Sequence, residues 1–493
     1  MEHGGVWLAM SERPKPMNIS PLSYASRMLR SALPDAPEDP ARPPLVDGAR
    51  LFGHIRRLQD DALQLMCEVS REYGPIARLQ LGPITAHLVT APELVREVLL
   101  TRRENFSKDT RGFRKLSFLL GEGLLTSGGE LWRRQRRTMQ PVFRRARVGV
   151  FADAMVGRTL ELLEGWEADL DSGRPHEIAD EMMALTLRIV GDTLLGANFD
   201  GDIEEVGEAV YELMEAALVR IRMPLDFVEG LPLPQNTRIE RRCAELDAIV
   251  NRVITRRLEH PEEGGDDLLG MLLEARDEET GAQMDRTQLR DEVMTIFLAG
   301  HETTANALTW ALVTLSRYPV VARRLQEEVD RVLGDRPATA DDLPELVYTG
   351  MVIQEVMRLF PPAWNFGRNT EEDTTLGGYQ IAKGELVMVC PYALHRSATL
   401  WPNPEGFDPE RFRPGRVPAD ADCVYIPFGG GARICIGKHF AMMEMQLVLA
   451  TLVQRVRVHL LPGHPIEPEP LITLRPRHGV KATLHRRPIE QQH

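Results

Sequence analysis

A cysteine set among glycines, with an arginine two residues before it, is the strongest candidate for chemistry in this 493-residue chain. The segment Phe428 to Gly437 reads FGGGARICIG. Phe428, Gly431, Arg433, Cys435 and Gly437 at these offsets would arise by chance in a chain of this length with odds on the order of one in 10,000 at average residue usage. Glycines let a backbone approach a flat group closely and aim amide N–H groups at a sulfur. A helix opening near Gly437 sets its positive end beside the cysteine, which lowers the pKa of the thiol. Arg433 adds a planar fork suited to a carboxylate. A thiolate so held is a metal ligand, and as the single protein ligand of a haem iron it favours O–O cleavage.

A second candidate lies in the longest helical stretch, from about Thr287 to Tyr318 and ended by Pro319, which at 1.5 Å per residue spans roughly 48 Å. Its middle reads AGHETT, from Ala299 to Thr304. Gly300 in a helix interior costs up to about 1 kcal/mol relative to Ala, and Thr303 and Thr304 can bond back to the carbonyls four residues earlier and loosen the turn. Such a weak turn is expected where something packs against the backbone. Taken alone, the hexapeptide serves equally well as a buried helix with an internally satisfied polar patch. Further on, Glu355-x-x-Arg358 places an acid and a base on one helix face, a spacing that a surface ion pair would also give.

These groups need a large scaffold to bring them together. Residues 34–44 carry five prolines, which fix φ and lack an amide donor, so 1–45 reads as a tail with an extended lead-in and 46–493 as one domain. His54 to Tyr73 has helical spacing and is stopped by Gly74-Pro75; IARLQL and ITAHLVT flank Gly82-Pro83 as a hairpin, and a helix opens at Pro92. A glycine-rich break at 121–129 precedes a stretch from about 130 to 360 that is helical almost throughout, interrupted at 196–201, 224–234 and 261–267. Strand-like pieces return after 361, and one more helix follows Gly437. The fold class is mainly α with a minor β component.

Composition narrows the function. With 59 Lys or Arg and 72 Asp or Glu the net charge is −13, which argues against a nucleic-acid partner. Five cysteines, at 67, 243, 390, 423 and 435, contain no C-x-x-C pair, so neither a disulfide framework nor a zinc site is expected, and a reducing, cytoplasmic setting fits. The apolar stretch Val6 to Met10 is too short for a signal peptide, and no run approaches the roughly 18 apolar residues of a membrane span. Only six lysines among the basic residues point to a GC-rich, bacterial genome.

With these residues in place, the sequence resembles the cytochrome P-450 family, the haem-thiolate monooxygenases, along most of its length. The resemblance implies a cytochrome P-450 fold in which haem b lies between the long distal helix and the proximal cysteine loop and helix, with Cys435 as axial ligand. It implies that Arg411, in FDPERF, completes a Glu355–Arg358–Arg411 network that fixes the cysteine loop. Trp132 and Arg136 of ELWRRQRR, with Arg368 of PPAWNFGR and Arg433, match the family's haem-propionate donors; Phe428 and Gly431 belong to the loop itself. His395, in LHR, receives no role. In AGHETT the pattern makes Thr303 the alcohol that holds the reacting oxygen and a water, and Glu302 the acid that relays protons.

The reaction needs two electrons per turnover, and no dinucleotide fingerprint follows a strand. Electrons from NAD(P)H are therefore expected through a ferredoxin reductase and a ferredoxin, with Arg133, Arg134, Arg136, Arg137, Arg144, Arg145 and Arg147 offering an acidic carrier a docking face. By position, the family's substrate contacts fall in the loop from about 105 to 125 with Phe113 and Phe118, the region near 220–234 with a lid hinge at Pro224–Pro234, Phe297 and Ala299, Trp364 and Phe366, and Ile472 to Leu474. These mostly apolar positions imply O2 and a lipophilic substrate: a terpene, fatty acid, steroid or polyketide. A monomer is expected. The alternatives are a haem-thiolate peroxygenase or isomerase that needs no redox partner, and a non-catalytic haem-binding protein. Retention of Glu302 and Thr303 favours the monooxygenase.

Overall fold

The computed structural model describes residues 39–48, 53–196, 203–222, 233–260, 267–416 and 423–487. The expected tail before 39, residues 197–202 and most of the expected lid hinge at Pro224–Pro234 lie outside these residues.

The helix that carries AGHETT runs without interruption from Arg286 to Arg317, 32 residues. Its start is fixed by Asp285, whose side chain accepts from the amide of Gln288, and it ends at Tyr318 because Pro319 opens the next helix. Most of its residues are buried, so its burial stripe is nearly all round and only a narrow face remains open. The ring of Trp310 stacks on Phe360 at 4.1 Å and 4°, binding this helix to the segment after helix Val347–Leu359. The helix after the cysteine, Lys438–Arg455, is capped by Gly437 and packs into the same core through Leu447, Val448 and Leu449.

Five strands form the main sheet: β1 (Ile76–Leu81), β2 (Ile84–Val89), β3 (Phe106–Ser107), β5 (Phe366–Thr370) and β8 (Leu386–Val389), in the order β1-β2-β8-β5-β3. β1 and β2 pair antiparallel with Leu81 opposite Ile84, across a turn where Gly82 has φ 58°. β3 pairs antiparallel with β5, Phe106 opposite Thr370 and Ser107 opposite Asn369. The next step of that register brings Lys108 toward Arg368. A smaller sheet sets β12 (Lys481–Arg486) between β4 (His176–Glu177) and β9 (Val456–Leu460). Two hairpins remain, β6 (Thr374–Leu376) with β7 (Tyr379–Ile381), and β10 (Pro468–Pro470) with β11 (Leu474–Pro476).

Two local readings of the sequence need correction. The loop expected over 105–125 contains a helix, Arg111–Leu120, capped by Thr110. Strand β4 interrupts the stretch read as helical, and its pairing partner lies some three hundred residues away, so no local pattern signals it. The glycine-rich break at 121–129 has a tertiary cause. A Cβ on Gly121 would stand 2.2 Å from Asp291 Oδ1, and the amides of Glu122 and Leu124 donate to Asp291 and Glu292 at 2.8 and 2.9 Å. Two acids of the long helix thus hold the turn that precedes helix Gly129–Met139.

Candidate functional site

Cys435 follows a single helical turn, Gly431–Arg433, and precedes helix Lys438–Arg455. The loop closes on itself: the amide of Cys435 donates to the carbonyl of Phe428 at 3.0 Å, and that of Ile434 to Gly431 at 3.1 Å. Gly431 is required for a reason other than close approach to a ligand. It has φ 65°, and a Cβ there would lie 2.0 Å from the carbonyl oxygen of Leu99. The side chain of Cys435 is exposed at the loop surface, where the ligand would meet it. Desolvation by the surrounding protein raises its thiol pKa, against the opposing pull of the Gly437 amide and of Arg136, Lys108 and Lys438. The lowered thiol expected from the helix end is therefore reversed for the protein groups alone.

Besides Lys438 at the helix start, four cations gather around this cysteine. Arg433 lies over the ring of Trp132 at 3.8 Å, and its buried Nη1 has no hydrogen-bond partner. Arg368, on β5, is 6% exposed and spends Nη1 on the neighbouring carbonyl of Gly367 at 2.9 Å. Arg136 donates Nη1 to the carbonyl of Ile434 at 2.9 Å, so it grips the cysteine loop itself, an addition to the propionate role expected of it. The fourth is Lys108, 4.0 Å from the centre of the Phe113 ring. Lys108 escaped the sequence reading: NFSKDTR carries no motif, and only the β3–β5 register brings it to Arg368.

The electrostatics agree. Burial first, then Arg368 and Arg136, pushes Arg433 down to about 9; burial pushes Arg368 down to about 10. Lys108 falls well below its ordinary value through burial and then Arg368 and Arg433, with Cys435 opposing. Among the described residues none of the four pairs with a carboxylate. Unpaired buried charge costs several kcal/mol per ion, so the site fits a ligand that brings its own anionic groups to a thiol. Haem, with two propionates, is such a ligand. Cys435 would hold its iron, and Arg368, Arg433 and Lys108 would hold the propionates.

Behind the loop, Glu355 accepts from Arg358 Nε and Nη2 at 2.7 and 2.8 Å, from Arg411 at 3.2 Å and from the amide of Asp408 at 2.9 Å. Arg358 also donates to the carbonyls of His395, Pro404 and Gly406. His395, which the sequence left without a role, joins this network to the cysteine loop. Its Nδ1 donates to the carbonyl of Arg358 at 3.2 Å, and its Nε2 accepts from the amide of Ile426 at 3.0 Å. That pairing fixes a neutral tautomer, and burial followed by Arg358 pushes its pKa down to about 3.

On the long helix, Thr303 and Thr304 both donate to carbonyls four residues back, at 2.8 and 3.0 Å. Ile296, Ala299, Gly300 and Thr303 form the open stripe, at offsets of three, four and seven residues. Phe297 is 2% exposed and belongs to the core beside His301, which corrects its assignment to the substrate pocket; its half-buried neighbour Ile296 stands on the open stripe instead. The 3.6-residue period counted back from Thr303 would have found it. Trp364 is corrected likewise. It is buried among Leu474, Met388 and Cys390 and donates Nε1 to the carbonyl of Leu471 at 2.9 Å. Phe113, Phe366 and Ile472 are half-buried. Glu444, fully buried on the helix after the cysteine, has neither oxygen hydrogen-bonded, and burial raises its pKa well above the usual range. It lies against the back of the AGHETT turn, beside Thr304.

The arginine-rich helix is partly spent internally. Arg133 pairs with Glu130 and Glu104, and Arg137 with Asp277 and Glu279. Arg144, Arg145 and Arg147 are exposed.

Comparison with known proteins accounts for this arrangement. The cytochrome P450 family profile matches residues 43–482. The chain is 38% identical over 430 residues to cyclooctatin synthase of Streptomyces melanosporofaciens, covering 87% of this chain and 92% of the relative. It is 37% identical over 414 residues to cyclooctat-9-en-7-ol 5-monooxygenase of the same organism, covering 84% and 88%. Pentalenene oxygenase of Streptomyces avermitilis is 33% identical over 424 residues, covering 86% and 93%. The crystal structure of cytochrome P450DA heme domain superposes with a TM-score of 0.83 at 27% identity, over 91% of this chain and 98% of that one. Among the described residues no helix is long and apolar enough to cross a membrane. The chain belongs to the cytochrome P450 family and is a haem-dependent monooxygenase.

Proposed function

We propose that this enzyme oxidises a cyclic terpene skeleton with O2, taking electrons from NAD(P)H through a ferredoxin reductase and a ferredoxin. The carrying observation is that the relatives it matches over most of their length are named for oxidation of cyclooctat-9-en-7-ol and pentalenene. The open apolar groups Phe113, Ile296, Ala299, Phe366 and Ile472 suit such a substrate, because they offer dispersion contacts and ask for no polar partner. We further propose a monomer that acts in the cytoplasm and uses residues 46–493 as one domain.

When bound, haem supplies the oxygen-activating iron, and the chain supplies everything that directs it. Cys435 would hold the iron through its thiolate, from a loop that Arg136 grips and the His395 network backs. Arg368, Arg433 and Lys108 would orient the group through its carboxylates. Thr303, its own proton given to Ala299, presents lone pairs toward the open face and can hold a water there. Glu302 beside it moves protons inward from solvent. This acid–alcohol pair favours a monooxygenase over a peroxygenase or a non-catalytic haem protein, neither of which needs protons delivered at that turn.

The test titrates the haem-loaded protein with pentalenene and follows the spin-state shift that accompanies loss of the iron-bound water. A shift with oxygenated product supports the reading; neither with pentalenene nor with cyclooctat-9-en-7-ol refutes the substrate class. Cys435→Ala should abolish the strongly red-shifted carbon-monoxide band of the reduced protein, and a band that survives refutes thiolate ligation. Docking through Arg144, Arg145 and Arg147 predicts that reduction by ferredoxin slows as salt rises. A rate insensitive to ionic strength rejects that face.

A further inference from the structure

We propose that Thr473 is a positioning residue for proton delivery, holding the carboxylate of Glu302 through a hydrogen-bond chain that begins at Asn306. The inference rests on the reading of Glu302 as the distal acid. Thr473 Oγ1 donates to Glu302 Oε1 at 2.5 Å, and Asn306 Nδ2 donates to Thr473 Oγ1 at 3.0 Å. A hydroxyl has one proton to give. With an amide N–H on one of its lone pairs, Thr473 commits that proton to Glu302, so the chain has a fixed direction and Glu302 stands at its accepting end. Thr473 and Asn306 are 6% and 3% exposed, which leaves little access for water to replace either bond.

The hairpin that presents Thr473 is itself immobilised along the long helix. Thr473 lies at the tip between β10 and β11. Its neighbour Leu474 donates its amide to the carbonyl of Pro362 at 3.0 Å and accepts from Trp310 Nε1 at 3.1 Å, while Leu471 accepts from Trp364. Glu302, Asn306 and Trp310 follow one another at four-residue intervals, so they form a single row on the helix, and the hairpin is laid against that row. Trp310 and Trp364 fix the hairpin, Asn306 orients the hydroxyl, and the hydroxyl fixes a glutamate that otherwise has three freely turning side-chain bonds. Oε2 of Glu302 is left to exchange protons.

The experiment uses the haem-loaded full-length chain with photoreduced deazaflavin as electron donor, so that it does not depend on the natural carrier. Dioxygen consumption is followed in H2O and D2O for Thr473→Val, Thr473→Ser, Glu302→Gln and the double variant Thr473→Val/Glu302→Gln. Each is first checked for the thiolate carbon-monoxide band. Thr473→Val should slow consumption by about tenfold, less than the roughly 100-fold that displacing a reacting group by 1 Å can cost. It should also raise the solvent isotope effect, because proton transfer becomes limiting. Thr473→Ser should restore both, and the double variant should be no slower than Glu302→Gln. If Glu302→Gln leaves rate and isotope effect unchanged, the reading of Glu302 fails. If Glu302→Gln slows the reaction and Thr473→Val does not, the positioning role fails. Should Thr473→Val not fold, Asn306→Leu breaks the chain from its other end, and an unchanged isotope effect there overturns the proposal equally.

Discussion

Arg358 and Arg433 are both arginines withdrawn from solvent near the cysteine loop, and they live under opposite conditions. Arg358 is fully buried, and its five N–H groups meet two oxygens of Glu355 and the carbonyls of His395, Pro404 and Gly406. Arg433 leans on the face of Trp132 with a buried Nη1 that reaches nothing, and its charged neighbours are Arg368 and Arg136. A cation whose every donor is answered by the chain is scaffold. A group of cations that the chain leaves unanswered waits for an anion from outside. Polar satisfaction thus separates the two roles where residue type does not.

The comparison breaks most plainly at Arg358. Replacing it by Leu strands Glu355 as a buried, half-paired carboxylate and should lower stability by about 3–5 kcal/mol, read as the urea midpoint of the haem-loaded protein; an unchanged midpoint would deny the network its role. Glu292 extends the contrast to a buried acid with a single amide partner. Burial pushes it up to about 8 from an ordinary 4.5, so folding favours its protonated form. That contribution is whole below pH 4.5 and is lost as the pH climbs through 8. Glu292→Gln should therefore match the parent near pH 5 and exceed it above pH 8 by on the order of a few kcal/mol, in thermal unfolding across pH. The smallest effect has two signs. Arg433→Met should stabilise the haem-free chain by about 1 kcal/mol, since it removes an uncompensated charge, and should speed haem loss to apomyoglobin by about tenfold. A variant that destabilises the haem-free chain would place Arg433 with Arg358 among the scaffold.

What the sequence disclosed follows the range of the interactions involved. Cys435 with Arg433, and Glu355 with Arg358, are joined by spacings of two or three residues, and the long helix by its caps and its period, so all were legible. Phe297 and Trp364 were misassigned because apolar character does not say which side of a helix or turn the core occupies. Lys108 was missed because its partner Arg368 lies far along the chain and the link is a strand register. Gly431 was read as room for a ligand, whereas the carbonyl of Leu99 fills that room. Thr473 carries no motif, and its value comes from a hairpin laid along a row of the long helix.

The neutral imidazole of His395 also sets an acid boundary for the molecule. Its Nδ1–H is given to Arg358 and its Nε2 lone pair is taken by Ile426, so the folded protein has nowhere to put a second proton until about pH 3. An unfolded histidine accepts that proton near 6.5. Acid between those two values is therefore absorbed by the unfolded chain alone and draws the equilibrium toward it. Glu292 does the converse on the alkaline side. The segment behind the cysteine is in this sense fastened by a clasp that acid prises open, set well away from the reacting atoms.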